Sequence, residues 1–216
     1  MLLLLLLILA ATTLPEIILF FSGGPRPTVR LTAAFIWFNL ALQVACFFLI
    51  PVGYVALVRP AESAWRHLGL ALDRRTTRAL GVGFGLAVLG TFLLALVLAG
   101  LSAAHLVNEE ESAVVGQLVD VLRVHPELVI LVPLAAGVCE ETLFRGFLQP
   151  RIGLLGSNVL FGLVHLAYGT VLQLVVPFVF GLGLGLLYRW QRSLWAPIMA
   201  HATFDLIQLI LAVTLG

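Results

Sequence analysis

The sequence has very little charge for its length, and none of its charge comes from lysine. Of its 216 residues 11% are charged and 61% are hydrophobic, and all twelve basic residues are arginine. A soluble domain typically carries about 25% charged and about 45–50% apolar residues. This shortage excludes a soluble enzyme, a disordered chain and a nucleic-acid binder with a basic face. A polytopic membrane protein remains, and the length predicts a single membrane domain over 1–216.

Cysteine and net charge are scarce as well. The two cysteines, Cys46 and Cys139, lie in apolar runs, so we predict packing roles for them and no disulfide. The formal net charge is only +1, so bulk charge indicates no acidic or basic partner. We therefore expect the lipid bilayer as a partner and no nucleic acid.

Long apolar runs are abundant, and a membrane-spanning helix needs about 20 such residues. They predict an all-α bundle of about seven transmembrane helices. We divide it into N-terminal spans within 1–120 and a catalytic four-helix region within 128–215. The predicted spans are 1–21, 31–58, 79–104, 128–148, 152–168, 171–188 and 193–215.

The positions of the arginines predict how these spans are oriented, because cytoplasmic loops are enriched in basic residues. Five arginines lie in 59–78 and three more in 149–152 and 189–192, whereas the charged residues of 105–127 are five acids and one arginine. Simple alternation then puts the N-terminus in the cytoplasm and the C-terminus outside. The composition, with arginine for every basic residue and much leucine, alanine and glycine, favours a prokaryotic cytoplasmic membrane.

Glycine pairs four residues apart occur in two of the predicted spans. They are Gly81 with Gly85 and Gly181 with Gly185. This small-xxx-small spacing is typical of helices that pack closely in lipid, and we expect the same here. The acidic segment 105–127 is compatible with a short surface helix.

Ionisable residues lie inside the last four spans, where a charge costs about 2.5–3.5 kcal/mol on insertion scales. Glu141 and Arg145 are four residues apart on a helix and are predicted to pair. Glu140 points about 100° away and has no partner in its own helix. His201 and Asp205 share a face. The full set is Glu140, Glu141, Arg145, His165, His201 and Asp205.

Three of these residues are expected at a similar depth in the membrane. Glu140 lies eleven residues before Arg151, His165 fourteen after it, and His201 nine after Arg192. At 1.5 Å per residue each is about 13–21 Å from the cytoplasmic helix ends. This is near the middle of a hydrocarbon core about 30 Å thick, so the three residues together predict a water-filled cavity.

The residue types in this cavity suggest hydrolysis by activated water. A carboxylate can act as general base toward water, and imidazole can share that task or donate to an oxyanion. The sequence has neither a G-x-S-x-G elbow nor an H-E-x-x-H motif. Two other interpretations stay open, since single histidines are usually satisfied core residues and intramembrane Glu and His also mark transporters or proton relays.

Three motifs in this region resemble those of the CPBP family of intramembrane proteases, which includes the Rce1-type CAAX prenyl endopeptidases and the Abi proteins. They are E-E-x-x-x-R at 140–145, F-x-x-x-H at 161–165 and H-x-x-x-N/D at 201–205. They occur in the family's order and cover roughly residues 130–210. The resemblance implies an all-helical intramembrane endopeptidase that acts on a membrane-associated peptide or protein substrate.

The resemblance also implies roles for individual residues. Glu140 is the base, His165 its partner, and His201 an oxyanion donor. Asp205 departs from the family's asparagine, so it is protonated, orients His201, or helps to hold a metal. Glu141, Arg145 and Phe161 have supporting roles.

Metal dependence and substrate stay open at this point. The family has long been described as metalloproteases, and zinc bound by His165, His201 and Glu140 is the alternative to the metal-free route that we favour. Because prenylation is not expected in a high-GC prokaryote, we predict a CPBP protease of unassigned substrate and not a prenyl-protein processor.

Overall fold

The computed structural model describes residues 14, 18, 31–61, 63–103, 109–165 and 171–215. These residues contain no strand and form a helical bundle, which confirms the predicted all-α membrane fold. The α-helices are α1 (Ala33–Gln43), α2 (Ile50–Val58), α3 (Ala64–His67), α4 (Thr76–Ala103), α5 (Glu109–Val124), α6 (Leu128–Ala135), α7 (Gln149–Val164), α8 (Val171–Gln191) and α9 (Trp195–Leu215). A π-helical turn, Val44–Leu49, joins α1 to α2, and two more, Ala136–Glu140 and Thr142–Leu148, join α6 to α7. Residues 136–148, which comprise these last two turns and Glu141 between them, are called the π segment.

Four helical stretches of the described chain are long and apolar enough to cross a membrane. They are Ala33–Val58, Thr76–Gly100, Leu174–Gln191 and Trp195–Leu215. A fifth candidate consists of Gly116–Val124 and Leu128–Val164, which pass the same test only together and are bent by 117°. The predicted span 1–21 lies almost wholly outside the described residues.

The predicted spans 128–148 and 152–168 are joined without a loop. Helix α6, the π segment and α7 follow one another from Leu128 to Val164, and the kink between the two spans lies at Gly153. Gly153 has φ 79° and ψ 171°, a conformation that glycine tolerates because it has no Cβ. The hydropathy pattern found both stretches but not the way in which they connect.

The arginine-rich segment and helix α5 contact opposite ends of α9. At one end the arginine-rich segment around Gly69 meets the turn between α8 and α9, where the Leu194 N–H donates to the Gly69 carbonyl at 2.9 Å. At the other end α5 reaches the last turn of α9, and Arg123 Nη2 donates to the Val213 carbonyl at 3.4 Å. The assignment of the basic end to the cytoplasm stays a prediction, which labelling of single cysteines from either side of the membrane would test.

Three buried side chains tie the π segment and α7 to carbonyl groups of α8. The bonds run from Arg145 Nη2 to Gly181 O (2.8 Å), from Gln149 Nε2 to Gly185 O (3.0 Å) and from Asn158 Nδ2 to Phe178 O (2.8 Å). An added Cβ at Gly181 would come within 2.7 Å of Arg145 Nη2, and one at Gly185 within 2.8 Å of Gln149 Oε1. The predicted close packing at Gly181 and Gly185 is therefore confirmed.

The corresponding prediction for Gly81 and Gly85 is wrong. Among the residues that the structure describes, a Cβ at either position would have no neighbour within 4 Å. The close approach in α4 is at Gly83, where a Cβ would collide with the Ala196 carbonyl and lie 3.1 Å from the Ala200 N–H nitrogen of α9. Spacing alone could not identify the glycine that faces the neighbouring helix, because α4 is apolar on every side over residues 79–90.

We expect Gly83→Ala to separate α4 from α9 and to destabilise the protein by about 1–3 kcal/mol, as overpacking of a filled interface usually does. The obstructing atoms belong to the α9 backbone and cannot rotate away. The matched control is Gly85→Ala, for which helix propensity favours alanine. Thermal unfolding in detergent measures both variants, and equal midpoints for the two would contradict the packing argument.

Candidate active site

The π segment gives its two adjacent glutamates different neighbours. π-helical turns are rare and occur frequently at functional sites. Here Glu140 ends the first turn, Glu141 follows it, and the second turn begins at Thr142. Glu140 contacts α1, whereas Glu141 contacts α9 and its own helical segment.

Glu141 lies at the centre of a buried ionic network. Its Oε1 accepts hydrogen bonds from Arg145 Nη1 and from His201 Nδ1, each at 2.8 Å. The side chains of Glu141 and Arg145 are 0% and 2% exposed. The Arg145 guanidinium also lies 4.1 Å from the ring centroid of Phe161, in cation–π geometry. The predicted pairing of Glu141 with Arg145 is therefore present, and it includes His201 as well.

His201 lies between two carboxylates. Its Nδ1 faces Glu141, and its Nε2 is 3.3 Å from Asp205 Oδ2. The rings of Phe161 and Phe180 pack against it in edge-to-face geometry at 5.9 and 5.7 Å. The Asp205 side chain is 32% exposed, whereas that of His201 is 5% exposed. Of the roles that the sequence leaves open for Asp205, this position suits orientation of the His201 ring.

His165 follows the last residue of α7 and is fixed by its own helix. Its Nδ1 is 2.7 Å from the Phe161 carbonyl oxygen, so Nδ1 carries the proton and donates. In the neutral ring Nε2 is then the acceptor nitrogen. The Phe161 ring contacts both histidines, with its centroid 4.8 Å from that of His165. Phe161 therefore supports the positions of both rings.

Glu140 is buried and has two differently placed oxygens. Its Oε1 accepts a hydrogen bond from Gln43 Nε2 at 2.7 Å. Its Oε2 is buried and receives no hydrogen bond from the described residues. His165, His201 and Asp205 all interact electrostatically with this carboxyl group. The structure thus brings ionisable side chains from separate helical stretches into electrostatic range of one buried carboxyl group.

Comparison with known proteins points to the same part of the chain. The family model described as type II CAAX prenyl endopeptidase Rce1-like matches residues 125–207, which include all three motifs. Residues 125–207 form an Rce1-like domain. The predicted resemblance to the CPBP family is thereby confirmed for residues 125–207, and together with the four apolar helices it identifies the chain as an integral membrane protein.

One curated relative matches over part of its length. The uncharacterized protein YpbD of Bacillus subtilis strain 168 is 34% identical over 80 residues. The aligned stretch covers 37% of this chain and 42% of the relative, so the chain spans less than half of that protein. No solved structure matches significantly.

The side chains of the Rce1-like domain do not fit a zinc ion. Catalytic zinc sites usually have three protein ligands in tetrahedral geometry. Among the described residues, no group of three or more His, Cys, Asp or Glu side chains is placed to hold a metal ion. His165 Nδ1 faces a carbonyl group, and both nitrogens of His201 face carboxylates.

Three amide side chains near the Rce1-like motifs were not predicted from the sequence, because they carry no charge. Gln149 and Asn158 are 6% and 2% exposed and bind carbonyl groups of α8. Gln43 binds Glu140 although it lies outside the Rce1-like domain. The available signal was an uncharged polar residue inside an otherwise apolar span, which is costly in lipid unless it is hydrogen-bonded.

Proposed function

We propose that this protein is an intramembrane endopeptidase that hydrolyses a peptide bond of a membrane-associated peptide or protein. The observation that supports it best is Glu140 Oε2, a buried acceptor without a donor among the described residues. His165, His201 and Asp205 are near enough to the Glu140 carboxyl group to interact with it electrostatically. The Rce1-like domain supports protease activity in general.

In the proposed reaction Glu140 and His165 activate a water molecule. Oε2 of Glu140 accepts a proton from the water while His165 Nε2 accepts a hydrogen bond from it, and the water oxygen attacks the scissile carbonyl. The C–N bond then breaks, and the proton held by Glu140 passes to the leaving amine. The hydrogen bond from His165 to the Phe161 carbonyl puts the proton of the neutral ring on Nδ1, so Nε2 is the nitrogen that can accept.

His201 stabilises the oxyanion in this proposal, and Asp205 orients it. In the imidazolium form both ring nitrogens of His201 carry a proton, so Nδ1–H donates to Glu141 and Nε2–H can donate to the developing negative charge. Asp205 lies beside Nε2 and holds the ring in place. An ionised carboxylate has no proton to donate, so Asp205 does not itself bind the oxyanion.

No step of the proposed mechanism runs through a metal, because the donor set does not converge on one. We also propose that the substrate needs no prenyl group. Recognition is then expected to depend on the membrane-embedded peptide itself.

Purified protein in liposomes is expected to cleave a membrane-anchored peptide, and mass spectrometry should detect both fragments. Cleavage should persist in the presence of a chelator and should not require a prenylated cysteine in the peptide. Loss of activity on chelation would contradict the metal-free route, and cleavage of prenylated peptide alone would contradict the substrate assignment. Intact peptide together with ion or proton flux across the liposome would favour a transporter and overturn the proposal.

A further inference from the structure

Gln43 brings a helix from the N-terminal half of the chain to the candidate active site. It lies 97 residues from Glu140 in sequence, and its Nε2 donates to Glu140 Oε1 at 2.7 Å. Gln43 is the last residue of α1, directly before the π-helical turn Val44–Leu49. That turn in α1–α2 packs against the π segment that carries Glu140.

The side-chain amide of Gln43 donates to a different helix, whereas that of its neighbour Asn39 donates within its own helix. One turn earlier, Asn39 donates to the carbonyl of Phe35 in its own helix at 2.8 Å. Asn39 thereby satisfies its amide locally and remains exposed. Gln43 instead extends across to another helix and donates to Oε1 of Glu140, whose Oε2 is buried and has no donor among the described residues.

We infer that Gln43 is a positioning residue, which holds Glu140 by its Oε1 and leaves Oε2 directed at the reacting water. This inference rests on the proposed function. A carboxyl group with two free oxygens rotates about its last bond, so a single donor on one oxygen fixes which oxygen faces the substrate. Catalytic groups need such support, because a loosely held side chain spends little time in the productive geometry.

One consequence is that the Rce1-like domain does not contain the whole site. Residues 125–207 supply the groups assigned to the chemistry, but the donor that fixes Glu140 belongs to α1. A truncated chain that lacks α1 would keep all three motifs and still lose the arrangement of the base.

Gln43→Met tests this role, because methionine has a similar length and no N–H. A hydrogen bond to a charged group is lost, so we expect kcat for peptide cleavage to fall about 10- to 100-fold. KM should stay within about twofold, since Gln43 is not assigned to substrate binding. The matched control Asn39→Leu removes an amide from the same helix and should leave both constants unchanged.

An infrared measurement tests the hydrogen bond independently of activity. The carbonyl stretching band of Glu140, protonated by lowering the pH, is assigned by its absence from Glu140→Gln, and it should move to higher frequency in Gln43→Met because the carbonyl oxygen loses its donor. An unmoved band would overturn the inference. A moved band with unchanged kcat would refute the positioning role while leaving the contact intact. A moved band in a protein that cleaves no peptide would count against the proposed function and not against the pairing of Gln43 with Glu140.

Discussion

Glu140→Gln is expected to reduce peptide cleavage by about 100- to 10,000-fold, the range that a general base contributes. The substituted side chain has the same shape, and its amide oxygen still accepts the hydrogen bond that Gln43 gives to Oε1. Its NH2 group replaces Oε2, so the atom that should accept the proton of water becomes a donor. Cleavage is measured as fragment release in liposomes.

The matched control for this variant is Glu127→Gln. Glu127 is an exposed glutamate whose side chain pairs with His125, outside the candidate site. It should retain full activity, and both variants should unfold at the temperature of the unaltered protein. Cleavage by Glu140→Gln within tenfold of the unaltered protein would show that Glu140 is not the base.

Much of the candidate site was predictable because charge in an apolar span is rare and therefore conspicuous. Glu140, Glu141, His165 and His201 stand out against their surroundings, and helix geometry is enough to pair Glu141 with Arg145. The additional bond from His201 to Glu141 was not predictable, because it joins residues 60 positions apart. Contacts between helices depend on how each helix is rotated, and local spacing carries no information about that rotation.

Because local spacing does not reveal how a helix is rotated, parts of the fold were predicted wrongly or not at all. Small-xxx-small spacing correctly identified Gly181 and Gly185 but selected Gly81 and Gly85 in place of Gly83. The π segment was also unpredictable from the sequence. A π turn rotates every later residue about the helix axis relative to its position in a regular α-helix. Here Glu140 and Glu141, at the end of such a turn, contact different helices.

Arg145 is the residue whose loss should damage the fold most. Its guanidinium is buried, pairs with Glu141, donates to the Gly181 carbonyl and stacks on Phe161. Removing one partner of a buried ion pair leaves an uncompensated charge and typically costs about 3–5 kcal/mol. We therefore expect Arg145→Met to lower the free energy of unfolding by about that amount, which is measured by chemical denaturation in detergent.

Two further variants separate the ion pair from a general effect of losing an arginine. Arg78→Met removes an exposed arginine from α4 and should change stability by no more than about 0.5 kcal/mol. The double variant Glu141→Gln with Arg145→Met should be less destabilised than the sum of its single variants, because the charge left behind by Arg145 has been removed. Strict additivity would show that Arg145 acts through packing on Phe161 and its bond to α8. In that case Glu141 would be held mainly by His201, and its link to Arg145 would contribute little to the fold.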